Sequence, residues 1–171
     1  MRDSSVNHYE RAFESWLIDH QVRYVRADES KRIGRGCDSV KNFDFLLYAR
    51  SGRRVIAEVK GRTFTGTCVS ELKGFDCWVT LDDIESLQTW QGVLGRDHEA
   101  VLVFVYRITR VDVDCNGRDA LDCDPDRYLF LCVRVTDYQS DMKRRSDKWR
   151  TVTLSAARFR EVAVDLSSLL L

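Results

Sequence analysis

Proline is almost missing from this chain: Pro125 is the one proline in 171 residues. With only nine glycines beside it, no Pro- or Gly-rich linker divides the sequence, and its length is that of one domain, 1–171. Long apolar runs are also lacking; none approaches the roughly 20 residues that span a bilayer. The charged opening Met1-Arg2-Asp3-Ser4-Ser5 has no secretory-signal pattern, so a cytoplasmic protein with no membrane partner is expected. Six cysteines (Cys37, Cys68, Cys77, Cys115, Cys123, Cys132) contain no Cys-x-x-Cys pair. A zinc site is therefore not expected, and the thiols read as reduced and structural. Net charge is absent as well, with 27 basic and 27 acidic side chains, which is not the balance of a general nucleic-acid coat. The charge is uneven, however. Residues 111–127 hold 2 basic and 6 acidic side chains, while both ends are mildly basic and leave room for a local basic groove. What is plentiful is apolar: 44% of residues are hydrophobic, enough to build a core.

Periodicity places the elements. Tyr9, Ala12, Phe13, Trp16 and Leu17 form one apolar stripe at helical spacing, which predicts a helix from about His8 to His20 with Asn7 as N-cap. A short strand is expected at 22–26, then a basic glycine loop, Lys31-Arg32-Ile33-Gly34-Arg35-Gly36. Two strands follow at 42–48 and 54–60, joined by a turn at Ser51-Gly52. Residues 61–79 carry no clear pattern. Thr80-Leu81-Asp82-Asp83 reads as a capped helix start with acidic residues in its first turn, and that helix should end near Gly92 or Gly95. Val-, Leu- and Phe-rich strands are expected at 100–108 and 128–135. A basic stretch from Lys143 to Arg150, a short strand at 151–154 and a last helical turn or two complete the chain. This order predicts an α/β fold, a mixed sheet flanked by helices.

The strand pair at 42–60 carries the anomaly. A turn centred on Ser51 pairs residue i with residue j where i + j = 102, setting Leu46 against Ile56 and Asp44 against Glu58. Side chains alternate between the faces of a sheet. One face is then Phe43, Phe45, Leu47, Val55, Ala57 and Val59, all apolar. The other is apolar for part of its length and ends in Asp44, Glu58 and Lys60. Carboxylates directly opposite each other lie about 5 Å apart at Cβ and repel. A hard divalent cation, Mg²⁺ or Mn²⁺, removes that conflict, and a lysine aimed at the same spot suits charge developing on a phosphoryl oxygen. The alternative is a plain surface ion pair, Glu58–Lys60, with Asp44 at a sheet edge.

Asp44, thirteen intervening residues and Glu58-x-Lys60 resemble the core signature of the PD-(D/E)XK phosphodiesterase superfamily. It comprises metal-dependent nucleases, among them restriction endonucleases, Mrr-like enzymes and archaeal-type Holliday junction resolvases. The opening His8-Tyr9-Glu10-Arg11-Ala12-Phe13-Glu14 is similar to the HYExAFE family. The likeness covers residues 8–106, leaving the C-terminal strands and helix, 128–171, unassigned. It implies a restriction-endonuclease-like αβββαβ core and hydrolysis of DNA with Mg²⁺ or Mn²⁺, on a structured substrate in the resolvase branch. Asp44, Glu58 and a first-helix glutamate would hold the metal, and Lys60 would act in catalysis. Two departures stand out: Phe43 replaces the usual proline, and no Gln-x-x-x-Tyr follows, since the next helix offers Gln88 and Gln91. Of the first-helix glutamates, Glu10 lies about 20° beyond the apolar stripe and Glu14 about 60°, so Glu10 is the candidate. It would alternatively close a capping box with Asn7. A catalytically degenerate relative that only binds nucleic acid or protein is the rival reading.

DNA is the expected partner, with a second copy of the chain as a further one. Candidate nucleic-acid contacts are Lys31, Arg32 and Arg35 on the glycine loop, and Arg144, Arg145 and Lys148 with Lys143 and Arg150. Trp149 lies among the latter as a stacking surface. His20, at the end of the first helix, reads as structural. The stretch Asp112-Val113-Asp114-Cys115-Asn116-Gly117 opens like a calcium loop, but its twelfth position is Cys123 where a bidentate glutamate is needed. A hairpin loop turning at Asn116-Gly117 is expected instead.

Overall fold

Helix α1 (His8–Asp19) starts where the Asn7 side chain accepts the Tyr9 N–H, and it buries Ala12, Phe13, Trp16 and Leu17. It is followed in this computed structural model, which describes residues 7–28, 40–110, 112–123 and 125–171, by β1 (Arg23–Arg26), β2 (Phe45–Tyr48) and β3 (Arg54–Phe64). A two-residue strand, β4 (Val79–Thr80), leads into α2 (Leu81–Leu94) and β5 (His98–Ile108). Then come β6 (Ala120–Cys123), β7 (Asp126–Arg134), α3 (Val135–Asp141), β8 (Lys143–Ser146), β9 (Thr151–Thr153), α4 (Ala156–Val162), β10 (Val164–Asp165) and α5 (Leu166–Leu170).

The main sheet runs β1-β2-β3-β5-β7-β10, with β6 on the flank of β7. β3 and β5 are parallel, joined through α2, and the other neighbours are antiparallel. This is the mixed α/β arrangement expected, with αβββαβ as its first part. In β5 every residue from Ala100 to Tyr106 is buried, which is why Ala-Val-Leu-Val-Phe-Val-Tyr is an unbroken apolar run: a central strand is covered on both faces. One face holds α1 and α5 over Phe45, Leu47, Ala57, Val101 and Val103. The other holds α2, α3 and α4 over Ile56, Leu102, Phe104 and Leu131. A second, three-stranded sheet, β4-β9-β8, lies at the β4 end of α2. Among the described residues no helix is long and apolar enough to cross a membrane.

The turn-centred register is met from Phe45 to Tyr48, with Phe45 pairing Ala57, Leu46 pairing Ile56 and Tyr48 pairing Arg54, while the expected pair Asp44 and Glu58 lies beyond the end of the ladder. Three expectations are corrected. Phe43 does not share the face of Phe45; the chain bends at Asp44 before the strand begins, so alternation stops there and Phe43 packs edge-on against Trp90 of α2 (5.2 Å). β3 continues to Phe64, four residues past Lys60. The turn at Asn116-Gly117 exists, both residues at positive φ (54° and 72°), but the strand hairpin is the one between Cys123 and Asp126. Asp112, meanwhile, faces Arg110 rather than converging with other carboxylates.

Close packing fixes α1 on the sheet. A Cβ at Gly61 of β3 would lie 2.1 Å from Cδ2 of Tyr9, so only glycine fits under the first turn. His20 stacks on Trp16 (3.9 Å) and its Nδ1 lies 2.9 Å from the Trp16 carbonyl, the structural role expected. The five described cysteines are free: Cys68 is exposed, Cys77 and Cys132 are buried.

Candidate active site

Because β3 outruns β2, its Val59 N–H faces the bend rather than a strand, and the Asp44 carboxylate accepts it through Oδ2 at 2.6 Å. The Asp44 N–H in turn donates to the Ala57 carbonyl (3.1 Å), and its own carbonyl accepts Ala27 N–H (2.9 Å). Asp44 is thus pinned by backbone on both sides and buried. Next to it, Glu58 is buried on β3, and its Oε1 receives the Lys60 ammonium at 2.9 Å.

Two residues that the sequence reading did not assign to the site complete this cluster. Asp83, in the first turn of α2, accepts Lys60 on Oδ2 (2.9 Å) and Lys41 on Oδ1 (2.8 Å). Lys41 also pairs with Glu58. Two carboxylates and two ammonium groups therefore close a neutral ring, with Glu58 and Asp83 side chains each only 4% exposed. The repulsion anticipated between Asp44 and Glu58 is met here by a backbone N–H and by lysines. Burial works to raise the Asp83 pKa, but the Lys60 and Lys41 charges override it and hold the carboxyl well below its usual range. Burial works to lower Lys41, and Glu58 and Asp83 override that, raising it above an ordinary lysine.

Asp83 was hidden by its second role. It closes a capping box with Thr80, taking the Thr80 N–H at 3.1 Å while its own N–H donates to the Thr80 hydroxyl at 3.2 Å. As sequence, Asp82-Asp83 reads completely as a helix start. Lys41 carried no periodic signal because it sits in the irregular segment before β2; the Trp90 indole N–H holds its carbonyl (2.9 Å) and aims it inward.

Glu10 is engaged elsewhere. It forms an ion pair with Arg26 of β1, which also binds Glu14 at 2.9 Å. Asn7 does not close a box with it, since its side chain accepts from Tyr9. Arg26 pairs across the sheet with Phe45, the residue after Asp44, so Glu10 lies at the site's end of the sheet, but on α1, across the sheet from α2 and its Asp83.

Of the expected nucleic-acid contacts, Lys31, Arg32 and Arg35 lie outside the described residues. The Lys143–Arg150 stretch forms β8 and the turn after it. Arg144 pairs with Asp147 (2.7 Å) and Arg150 with Asp82 (3.5 Å). Lys148 lies over the Trp149 ring (5.1 Å), and Trp149 is 68% exposed. Arg145 lies over Trp78 (5.0 Å).

With this geometry in view, the chain is similar in structure to Archaeoglobus fulgidus Hjc, a Holliday junction resolvase from an archaeal hyperthermophile, with a TM-score of 0.55 over 95% of this chain and 97% of that one. The fold is shared. Identity is 13%, so the likeness lies in the architecture. No family model and no curated protein matches the sequence, so the HYExAFE likeness of residues 8–14 gains nothing from these comparisons.

Among the described residues no three His, Cys, Asp or Glu side chains converge to hold a metal. Mg²⁺, however, is commonly held by one or two carboxylates with water and substrate phosphate completing its shell. Asp44 and Glu58 supply two hard, buried carboxylates. Lys41, with its side chain 40% exposed against 17% for Lys60, is the cation able to withdraw to solvent. Asp44 and Glu58 would be the carboxylates available to such an ion, with Lys41 displaced from Glu58.

Proposed function

We propose that this chain is a PD-(D/E)XK-type phosphodiesterase that hydrolyses DNA with Mg²⁺ or Mn²⁺, acting on a branched or otherwise structured substrate. The observation that carries this reading is the convergence of Glu58, Lys60 and Asp83 beside Asp44 at one end of a sheet whose fold is shared with a resolvase. Asp44 and Glu58 would hold the ion, with Glu10 supporting from the edge of α1. When bound, the metal would polarise a phosphoryl oxygen and acidify a bound water. Lys60 is held by two carboxylates and so needs no reorganisation to stabilise charge developing on the phosphate. The Asp44 carboxylate is oriented by Val59 N–H, which fixes the direction of its second oxygen. Free cysteines suit the reducing cytoplasm, and a two-fold pair of copies would match a symmetric substrate.

Asp44→Asn should abolish most Mn²⁺ affinity by calorimetry, together with cleavage. Lys60→Ala should keep Mn²⁺ binding and lower cleavage of labelled junction, duplex or single-stranded DNA by about 10²–10³-fold, the typical cost of one transition-state donor. A second reading, a non-hydrolytic binding module of the same fold, is favoured by the closed Lys41–Glu58–Lys60–Asp83 ring. It takes over when wild type binds no divalent ion and cleaves none of these substrates.

A further inference from the structure

β3 presents Glu58, Lys60 and Arg62 on one face at successive two-residue steps, each about 6.6 Å along the strand. Arg62 therefore follows directly from the catalytic candidates. Its guanidinium lies 4.1 Å from the Trp78 ring centre, Nη1 donates to the Gly61 carbonyl (2.7 Å) and another nitrogen donates to the Trp78 carbonyl. Its Nε is buried with no hydrogen-bond partner. A second guanidinium, Arg145, lies over the same ring at 5.0 Å. Arg145 falls in the register shift between Arg144 and Ser146, where β8 breaks its pairing with β9. A bulge of this kind turns a side chain out of the ladder and is frequent beside functional sites.

Two guanidinium groups thus converge on one indole, and among the described residues neither takes part in an ion pair. Like charges gathered without a carboxylate are costly unless an anion joins them. Five other arginines, Arg26, Arg107, Arg127, Arg134 and Arg158, each face an acid, whereas Arg23 lies singly over the Tyr48 ring; only at Trp78 do two guanidinium groups share one ring among the described residues. Burial holds the Arg62 pKa below that of an ordinary arginine, and the neighbouring Tyr106 and Asp76, which form no ion pair with it, do not offset that.

We propose that Arg62, Trp78 and Arg145 form a phosphate subsite for the DNA strand, one step beyond the phosphate placed at Lys60. The exposed Arg145 fork takes the phosphodiester oxygens, while Arg62, fixed on the Gly61 and Trp78 carbonyls, adds its charge beside the indole that positions both groups. The proposal rests on the phosphodiesterase reading for the position of the scissile phosphate, and it names where the strand continues.

Binding is measured in EDTA, where metal-dependent turnover is stopped, by anisotropy of fluorescein-labelled junction, duplex and single-stranded DNA across a salt series. Arg145→Ala, an exposed position, should weaken binding about tenfold and reduce the salt slope by about one. Arg145→Lys should recover part of the affinity, keeping the charge but not the fork. Arg62→Lys should weaken binding similarly, while Arg53→Ala, beside the far end of β3 where it pairs with Glu99, should leave it unchanged. Unaltered affinity and slope in Arg145→Ala, in a protein that cleaves DNA with Mn²⁺, overturn the subsite and leave the hydrolytic reading standing. Arg145-dependent binding in a protein that never cleaves supports the subsite and removes hydrolysis. Absence of DNA binding by wild type overturns the subsite.

Discussion

Asp83 performs two tasks with one carboxylate, capping α2 and neutralising two lysines, and the tasks can be separated. Asn keeps an oxygen for the Thr80 N–H but removes the charge. Asp83→Asn should therefore retain helix α2 by circular dichroism yet lose about 3 kcal/mol of stability in urea titration, since a buried ion cluster loses one partner. The pH dependence follows from the direction of the shift. Asp83 titrates lower in the folded chain than in the unfolded one, where its pKa is about 3.9. Its contribution is complete above that value and drains away as pH falls toward the depressed folded pKa. Stability of Asp83→Asn should fall less steeply than wild type between about pH 4 and 2. Lys41→Ala tests the other partner: with the withdrawing ammonium removed, Mn²⁺ should bind about tenfold more tightly by calorimetry, as expected when about 1.4 kcal/mol of competition is lifted. Unchanged Mn²⁺ affinity would mean Lys41 does not compete for the site.

At the scale of elements, strands and helices with one clear period were legible before any coordinates. The apolar stripe of α1 and the runs in β5 and β7 announce themselves because their neighbours bury them. The 102 register follows from a turn centred on Ser51 and alternation alone, and it puts Glu58 and Lys60 on one face. What stayed hidden was set by irregular backbone. Phe43 and Lys41 precede the bend at Asp44, so strand periodicity extended through them pointed to the wrong face for one and to nothing for the other. Segment 61–79 was opaque because β3 continues into a loop packed by Phe64 on Phe75 (4.1 Å), a contact between residues with no shared period. The contact between α1 and β3 supplies an element-scale test. Gly61→Ala forces its methyl into the Tyr9 ring, and Tyr9 sits in the first helical turn, which must lift. A loss of about 1–3 kcal/mol is expected, and Gly61→Ala with Tyr9→Ala should recover part of it in a double-mutant cycle. Strict additivity of the two would show that the contact does not constrain the helix.

For the whole molecule, one sheet separates two apolar layers, and every strand of its centre contributes side chains to both. Neither layer can be dismantled without exposing the back of the other. We propose accordingly that residues 1–171 unfold as one unit: calorimetric and van't Hoff enthalpies should agree, and near- and far-UV circular dichroism should report one midpoint. Two separated transitions would assign the β4-β9-β8 sheet its own stability.

The free cysteines give this architecture a clock. Cys132 sits in the middle of β7 with no exposed surface, and burial pushes its thiol far above the usual range. Cys68 lies open on the loop after β3, where hydrogen bonds from Ser70 lower its pKa. Thiolate, not thiol, is alkylated. In native buffer Cys68 should therefore react with iodoacetamide within the mixing phase of a slow labelling experiment, and Cys132 only as often as the central strands part. The Cys132 labelling rate, followed by peptide mass spectrometry, then reads the opening frequency of the sheet that carries Glu58 and Lys60. On the proposed phosphodiesterase reading, DNA or Mn²⁺ should slow that rate in proportion to the fraction of chains occupied.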